Sequence, residues 1–402
     1  MPDVPRQYRF NKAFEAPGGS AIRELFRYLA RPGMISFAGG YPAPALFDAE
    51  GLASATATAM AEPGSCLQYG ATEGTLALRE ELAALMARRG SKVSADELLV
   101  TTGSQQGLDL LIRVLLSPTD AVLVEQPTYP AALQALRLAG CAVSSVNSDA
   151  EGLIPEALAS LLEAAPVGHY RLLYCVPDFA NPTGACMPLA RRLALLALAA
   201  QHKLLLIEDD PYGALRFSGE PVPSLLALTS QVPGAQGCVV HLSSLSKIVA
   251  PGLRVGWMVA PAPIHQRCVI AKQTVDLCTS PISQQIAACY LASGALERHL
   301  PRLRQGYAEK CQAMLTGLAT LGGQLTMAAP AGGMFVWGRL SDGNDAQALF
   351  DRAIEHNVMF VPGRAFYASE ADPASLRLSF AAPGVEAIGE GLHRLAKALG
   401  QS

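Results

Sequence analysis

The sequence predicts an α/β protein: a large domain with a mostly parallel seven-stranded sheet flanked by helices, followed by a smaller α+β domain. Three observations carry this. Seven short β-rich runs alternate with helical stretches between residues 75 and 260. From about Gln284 the texture changes to long helical segments with a few strands after them. At 402 residues, half of them apolar, the chain is too long for one ordinary core and suits two.

The seven runs are "ELLVTTG", "AVLVEQPTY", "CAVSSVN", "YRLLYCVP", "KLLLIEDD", "CVVHLSS" and "RVGWMVA". Helices fill many of the gaps. In "LREELAALMARRG", Leu78, Leu82, Leu85 and Met86 recur with helical spacing, and Gly90 suits the position past the helix end. "MPLARRLALLALAAQHK" has Pro188 near its first turn and a wide apolar face. Farther on come a β-rich "GGMFVW", a helix around Ala346 to His356, then "VMFVPG" and "LRLSFAA". The last helix, "VEAIGEGLHRLAKAL", sets Val385, Ile388, Leu392, Leu395 and Leu399 on one stripe. The expected units are an arm over residues 1–48 that joins the small domain, the large domain over 49–285 and the small domain over 286–402.

Lys and Arg total 31 against 34 acidic residues, so no electrostatic footprint for nucleic acid or an anionic membrane exists. The nine cysteines form no Cys-x-x-Cys pair and no metal-spaced cluster, which reads as free thiols in a reducing compartment. The N-terminus lacks the apolar core of a signal peptide, and no run reaches the ~18 apolar residues of a membrane span. A cytosolic protein is the expectation.

In open α/β sheets, ligands bind where the carboxyl ends of strands turn into helices. Four such junctions carry polar residues: "LLVTTG" into "SQQGLDLL", "YCVP" into "DFANPTG", "LLLIE" into "DDPY", and "CVVHLSS" into "LSK". At the first, the free N–H groups of Ser104, Gln105 and Gln106 are placed to cradle an anion. At the last, in "HLSSLSKIVAPGLRVGW", Lys247 lies between serines and Arg254. A lysine desolvated beside a cation has a lowered pKa and becomes a nucleophile able to form a Schiff base. A phosphate shared by Ser104, Gln105, Ser244, Ser246 and Arg254, next to an aldehyde-reactive lysine, describes pyridoxal 5′-phosphate. That cofactor needs a carboxylate to keep its ring nitrogen protonated, and Asp209 at a strand tip is the candidate.

"SSLSKIVAPGLRVGW", "NPTG", "EDDPYG" and "GSQQGLDLL" resemble the motifs of the fold-type I, class I/II aminotransferases. More narrowly they are similar to the branch of 2-aminoadipate and kynurenine aminotransferases. The resemblance runs from about "GSAIREL" to "LRLSF" in the family's order. It implies a pyridoxal-phosphate aminotransferase passing an amino group from an L-amino acid to a 2-oxo acid such as 2-oxoglutarate. By the same resemblance Lys247 holds the cofactor and then moves a proton, Asp209 pairs with the ring nitrogen, and Tyr212 and Asn181 meet the phenolic oxygen. Tyr129 stacks on the ring, and Tyr69 reaches the phosphate of the neighbouring subunit's cofactor in a homodimer. Arg377 grips the substrate's α-carboxylate, which its planar fork binds bidentately. Gly39 and Gly40 bring backbone close to substrate. Arg23, in an N-terminal helix, meets a distal carboxylate.

Blander readings stand beside these. "NPTG" also suits a plain turn, Arg377 an edge-strand salt bridge, Arg23 a solvated helix face and Tyr69 a surface position. Asp178 and Ala180 depart from the family, and an extra acid near the cofactor would repel a dicarboxylate. Three rival functions remain at this level. A β-eliminating or decarboxylating enzyme shares the fold. A non-catalytic ligand-binding regulator is argued against by the missing DNA-binding segment. A nicotinamide enzyme lacks its G-x-G-x-x-G and leaves Lys247 unexplained.

Overall fold

The computed structural model describes residues 8–15, 19, 21–341 and 343–400. All seven expected runs form strands of one sheet. In chain order its members are β1 (Leu98–Thr101), β2 (Ala121–Gln126), β3 (Ala142–Asp149), β4 (Gly152–Leu153), β5 (Tyr170–Cys175), β6 (Leu205–Asp210), β7 (Val239–Ser244) and β8 (Gly256–Val259). Among the described residues the spatial order is β1-β8-β7-β6-β5-β2-β3-β4. The pairs from β7 through β3 are parallel, whereas β8 runs against both neighbours. The expected seven strands are thus eight. Gly152, at φ +90°, lets the chain turn back after Glu151, so two residues pair antiparallel with the end of β3.

Helices Ser104–Leu115, Pro130–Leu138 and Leu189–His202 follow β1, β2 and β5, as parallel crossovers demand. Leu76–Arg88 buries Leu78, Leu82, Leu85 and Met86, and Gly90 takes φ +91° just past its end. Pro188 caps Leu189–His202. One expectation fails in the last helix, Val385–Ala398. Ile388, Leu392 and Leu395 are buried, but Val385 is 50% exposed because the first residue of the helix projects past the surface it covers.

A second, antiparallel sheet holds β9 (Leu325–Met327), β10 (Phe335–Leu340), β11 (Val361–Pro362) and β12 (Ser375–Ser379), in the order β9-β10-β12-β11. The N-terminal Ile35–Ser36 pairs with Val358–Met359, which brings Gly39 and Gly40 beside residues far along the chain. The helix Ala295–Ala319 packs on Val385–Ala398. No disulfide forms among the nine cysteines. No helix among the described residues is long and apolar enough to cross a membrane, and no group of these residues suits a metal.

Candidate active site

Strand parity decides which acid of "EDD" faces the site. Side chains alternate across a strand, and in the register Tyr174 pairs with Ile207 and Cys175 with Glu208. Asp209 therefore shares a face with Tyr174 and Val176. All three line a cavity of about 850 Å³ at the carboxyl ends of the parallel strands. Glu208 and Asp210 point to the opposite face. There Glu208 accepts from the Leu225 N–H at 2.6 Å and meets His241 Nδ1 at 2.9 Å, while Asp210 pairs with Arg89 at 2.6 Å.

Lys247 ends the short turn that follows β7. The Ser244 hydroxyl accepts from the Ser246 N–H at 3.0 Å and holds the turn. The lysine Nζ donates to the Gly40 carbonyl at 2.8 Å inside the cavity. Burial, with Arg377 and Arg254 adding repulsion, pushes its pKa down to about 8. The neutral amine is therefore far more populated near neutral pH than in an ordinary lysine, which favours a nucleophile. Asp209 is pushed up to about 6, mainly by burial, while a hydrogen bond from Tyr174 works in the opposite direction.

An anion cradle lies beside the lysine. Gly103 opens the helix Ser104–Leu115 at φ +83°, and a Cβ there would collide with the Arg254 guanidinium. Arg254 itself takes a left-handed φ of 53°, and its guanidinium donates to the Thr102 carbonyl at 3.2 Å. Gly103, Ser104, Gln105, Ser244, Ser246 and Arg254 all line the cavity. Gln106 does not belong to this set. Its N–H donates to the Gly103 carbonyl at 3.1 Å, and its side chain bridges the Thr102 N–H and Asp276.

Opposite stand Asn181, Tyr212 and Arg377. The Asn181 side chain hydrogen-bonds Tyr212 and accepts from Arg377 Nη1 at 2.6 Å. Arg377 Nη2 donates to the Ala38 carbonyl, and the guanidinium lies over the rings of Phe335 and Phe366 at 4.5 and 4.9 Å. Its alternative reading as an edge-strand salt bridge fails twice. β12 is an interior strand, and Arg377 has no acidic partner among the described residues. Its Nε is buried with no partner among the described residues, and burial lowers its pKa to about 10. Tyr129, Gly40 and Arg23 also line the cavity, Arg23 at the exposed mouth. Gly39 does not, while a Cβ at Gly40 would press on Phe335. Tyr69 lies outside this cavity and is 79% exposed.

Asp178 corrects an expectation. It does not line the cavity, because the fully buried Arg192 grips it at 2.8 and 3.1 Å on the far side of the "NPTG" loop. Its charge is cancelled and repels no substrate. Ala180 is buried and also lies outside the cavity. Asp178→Ala leaves Arg192 a buried, uncompensated cation, so a loss of about 3–5 kcal/mol in stability is expected. A denaturant melt checks this, and an unchanged midpoint refutes it.

Several lining residues escaped the sequence reading: Tyr174, Val176, Phe335, Tyr41, Ile22 and Phe26. The parity of "YRLLYCVP" against "LLLIEDD" signals the first two once the register is known. The aromatic walls carry no local signature.

The residues present fit pyridoxal phosphate. Asp209 Oδ1 is buried with no hydrogen-bond partner among the described residues, suited to a ring N–H. Lys247 suits an aldehyde, and the Gly103 cradle a phosphate. Comparison with known proteins agrees. The model of the family "Aminotransferase class I and II" matches residues 40–395. The chain is 42% identical to 2-aminoadipate transaminase of Thermus thermophilus, covering 97% of this chain and 96% of that one. It is 39% identical to aromatic-amino-acid aminotransferase 1 of Thermococcus litoralis, covering 94% and 91%. The solved kynurenine aminotransferase of Pyrococcus horikoshii, in complex with PMP, superposes with a TM-score of 0.91 at 38% identity, covering 97% of this chain and 96% of that one. With its fold, its cavity lysine and these relatives agreeing, the chain belongs to the class I and II aminotransferases and is an enzyme dependent on pyridoxal 5′-phosphate.

Proposed function

We propose that this aminotransferase takes its amino group from L-2-aminoadipate, glutamate, kynurenine or an aromatic amino acid and passes it to 2-oxoglutarate. One observation carries the reading. The cavity that holds Lys247 and Arg377 opens past an apolar wall of Ile22, Phe26 and Tyr41 to Arg23 at its mouth. Such a mouth accepts either an aromatic ring or a side-chain carboxylate.

The roles follow from chemistry. Arg377 holds the α-carboxylate of substrate, and its rigid fork orients the Cα–H bond. Lys247 would hold the cofactor through its aldehyde, and its amine, once free, would serve as the general base for the proton at Cα of the substrate. Bound pyridoxal phosphate supplies the electron sink for the charge left behind. Asp209 would pair with the cofactor's ring nitrogen, Asn181 and Tyr212 would serve its phenolic oxygen, and Tyr129 would offer an aromatic face to it. Ser104, Gln105, Ser244, Ser246 and Arg254 would hold the phosphate. Tyr69, with its exposed ring, completes the site of a second copy in a homodimer. The free thiols support a cytosolic location.

The test is an absorbance spectrum of the purified protein during single additions of L-2-aminoadipate, L-glutamate, L-kynurenine and phenylalanine. Conversion to the pyridoxamine form supports the reading, and release of ammonia or carbon dioxide without that form overturns it. Arg23→Ala is expected to lower kcat/KM for 2-aminoadipate by about 10–100-fold, as loss of one charge-assisted contact would. Phenylalanine turnover should stay within about twofold, and an equal loss on both substrates refutes the role of Arg23.

A further inference from the structure

We propose that Tyr174 is a positioning residue for Asp209: its hydroxyl occupies Oδ2 and so presents Oδ1 to the ring nitrogen of the cofactor. The inference rests on the aminotransferase reading of Asp209. Tyr174 Oη donates to Asp209 Oδ2 at 2.7 Å, and both side chains are buried, at 0% and 6% exposure. Asp209 Oδ1 has no partner among the described residues, and both side chains line the cavity. The two oxygens of one carboxylate are thus made unequal, one engaged within the protein and the other bare toward the site.

Two further facts favour this role over simple packing. The bond joins adjacent parallel strands, β5 and β6, with Asp209 two residues beyond Ile207, the register partner of Tyr174, so sheet register holds its geometry. Tyr174 is also a dedicated donor. Burial and the facing Asp209 carboxylate raise its pKa well above the usual phenol range, which keeps the proton on the hydroxyl. The other titratable groups acting on this pair lie elsewhere. Glu125 comes from β2, Asp210 and His241 act from the opposite face of the sheet, and Tyr129 and Tyr212 line the same cavity. Lys247, Arg254 and Arg377 line the same cavity. Tyr174 is the hydrogen-bond donor to Asp209 among the described side chains.

The chemical consequence concerns one proton. Between a carboxylate and a pyridine nitrogen it can rest on either atom. A hydrogen bond donated to the carboxylate favours the anion and therefore keeps the proton on the ring nitrogen. A protonated ring is the better sink for the charge released at Cα.

The test loads the full enzyme with pyridoxal phosphate labelled with ¹⁵N in the ring and records the nitrogen chemical shift at neutral pH. Wild type is expected in the protonated range. In Tyr174→Phe, which keeps the ring packing and removes only the hydroxyl, the shift should move toward neutral pyridine. There kcat should fall about tenfold while KM for the amino acid stays within about twofold, as for a group acting on the transition state. Replacing Tyr174 with 3-fluorotyrosine keeps the donor and should retain the wild-type shift. A phenylalanine variant with the wild-type shift, or a fluorotyrosine enzyme that has lost it, overturns the role of Tyr174. A wild-type protein that takes up no labelled cofactor overturns the aminotransferase reading as well, so the two failures are distinguishable.

Discussion

Lys247→Ala is expected to lose covalent attachment of pyridoxal phosphate, seen as loss of the visible absorbance band. Transamination should fall by at least roughly 10²–10⁴-fold, the contribution of a positioned general base alone. The structure states why this lysine and not another. Its Nζ is inside the cavity, held by the Gly40 carbonyl, and burial with two arginines lowers its pKa to about 8. The same cause predicts a pH dependence. Below about 8 the amine of the cofactor-free enzyme is mostly protonated, so the rate of cofactor attachment should rise with pH through about 8 and then level off. A rate that keeps rising toward the ordinary lysine range would show that the desolvation is ineffective. Added free alkylamine should restore some turnover to Lys247→Ala, because only the base is missing while the rest of the cavity stands.

Arg377→Ala should lower kcat/KM for every amino donor and oxo acid by two to three orders of magnitude, about 3–4 kcal/mol for a buried charge pair truncated on one side. The loss should be uniform across substrates, because the α-carboxylate is common to all. This separates it from the selective effect expected at Arg23. Arg377→Lys should fare little better, since an ammonium offers no planar fork and cannot lie over Phe335 and Phe366 as the guanidinium does. Single-turnover kinetics with two donors of different side chain checks both points. A loss confined to acidic donors would overturn the assignment.

Much of this was open to reading in the chain alone. The seven β-rich runs all became strands of one sheet, because alternation of strand and helix is a local property of apolar patterning. Lys247 and Asp209 are readable from loops at strand ends, Asn181 and Tyr212 from motifs that resemble the family's, and the four meet because parallel strands all end on one side of a sheet. The eighth strand was missed, since two residues after a hairpin turn carry no pattern of their own.

The sequence by itself determined the fold class, the cofactor chemistry and the polar residues at the strand ends, since each is written in short motifs whose conformation is set locally. Only the tertiary structure decided which way each side chain points. Asp209 and Asp210 are adjacent acids, yet one faces the cavity and the other Arg89, by strand parity. Asp178 reads as a charge beside the cofactor and proves to be locked to Arg192 behind the loop. Arg377 reaches Asn181 across 196 residues, and Tyr174 reaches Asp209 across a strand register that neither segment encodes. Facing, register and long-range approach depend on how whole elements pack, and no window of sequence contains that information.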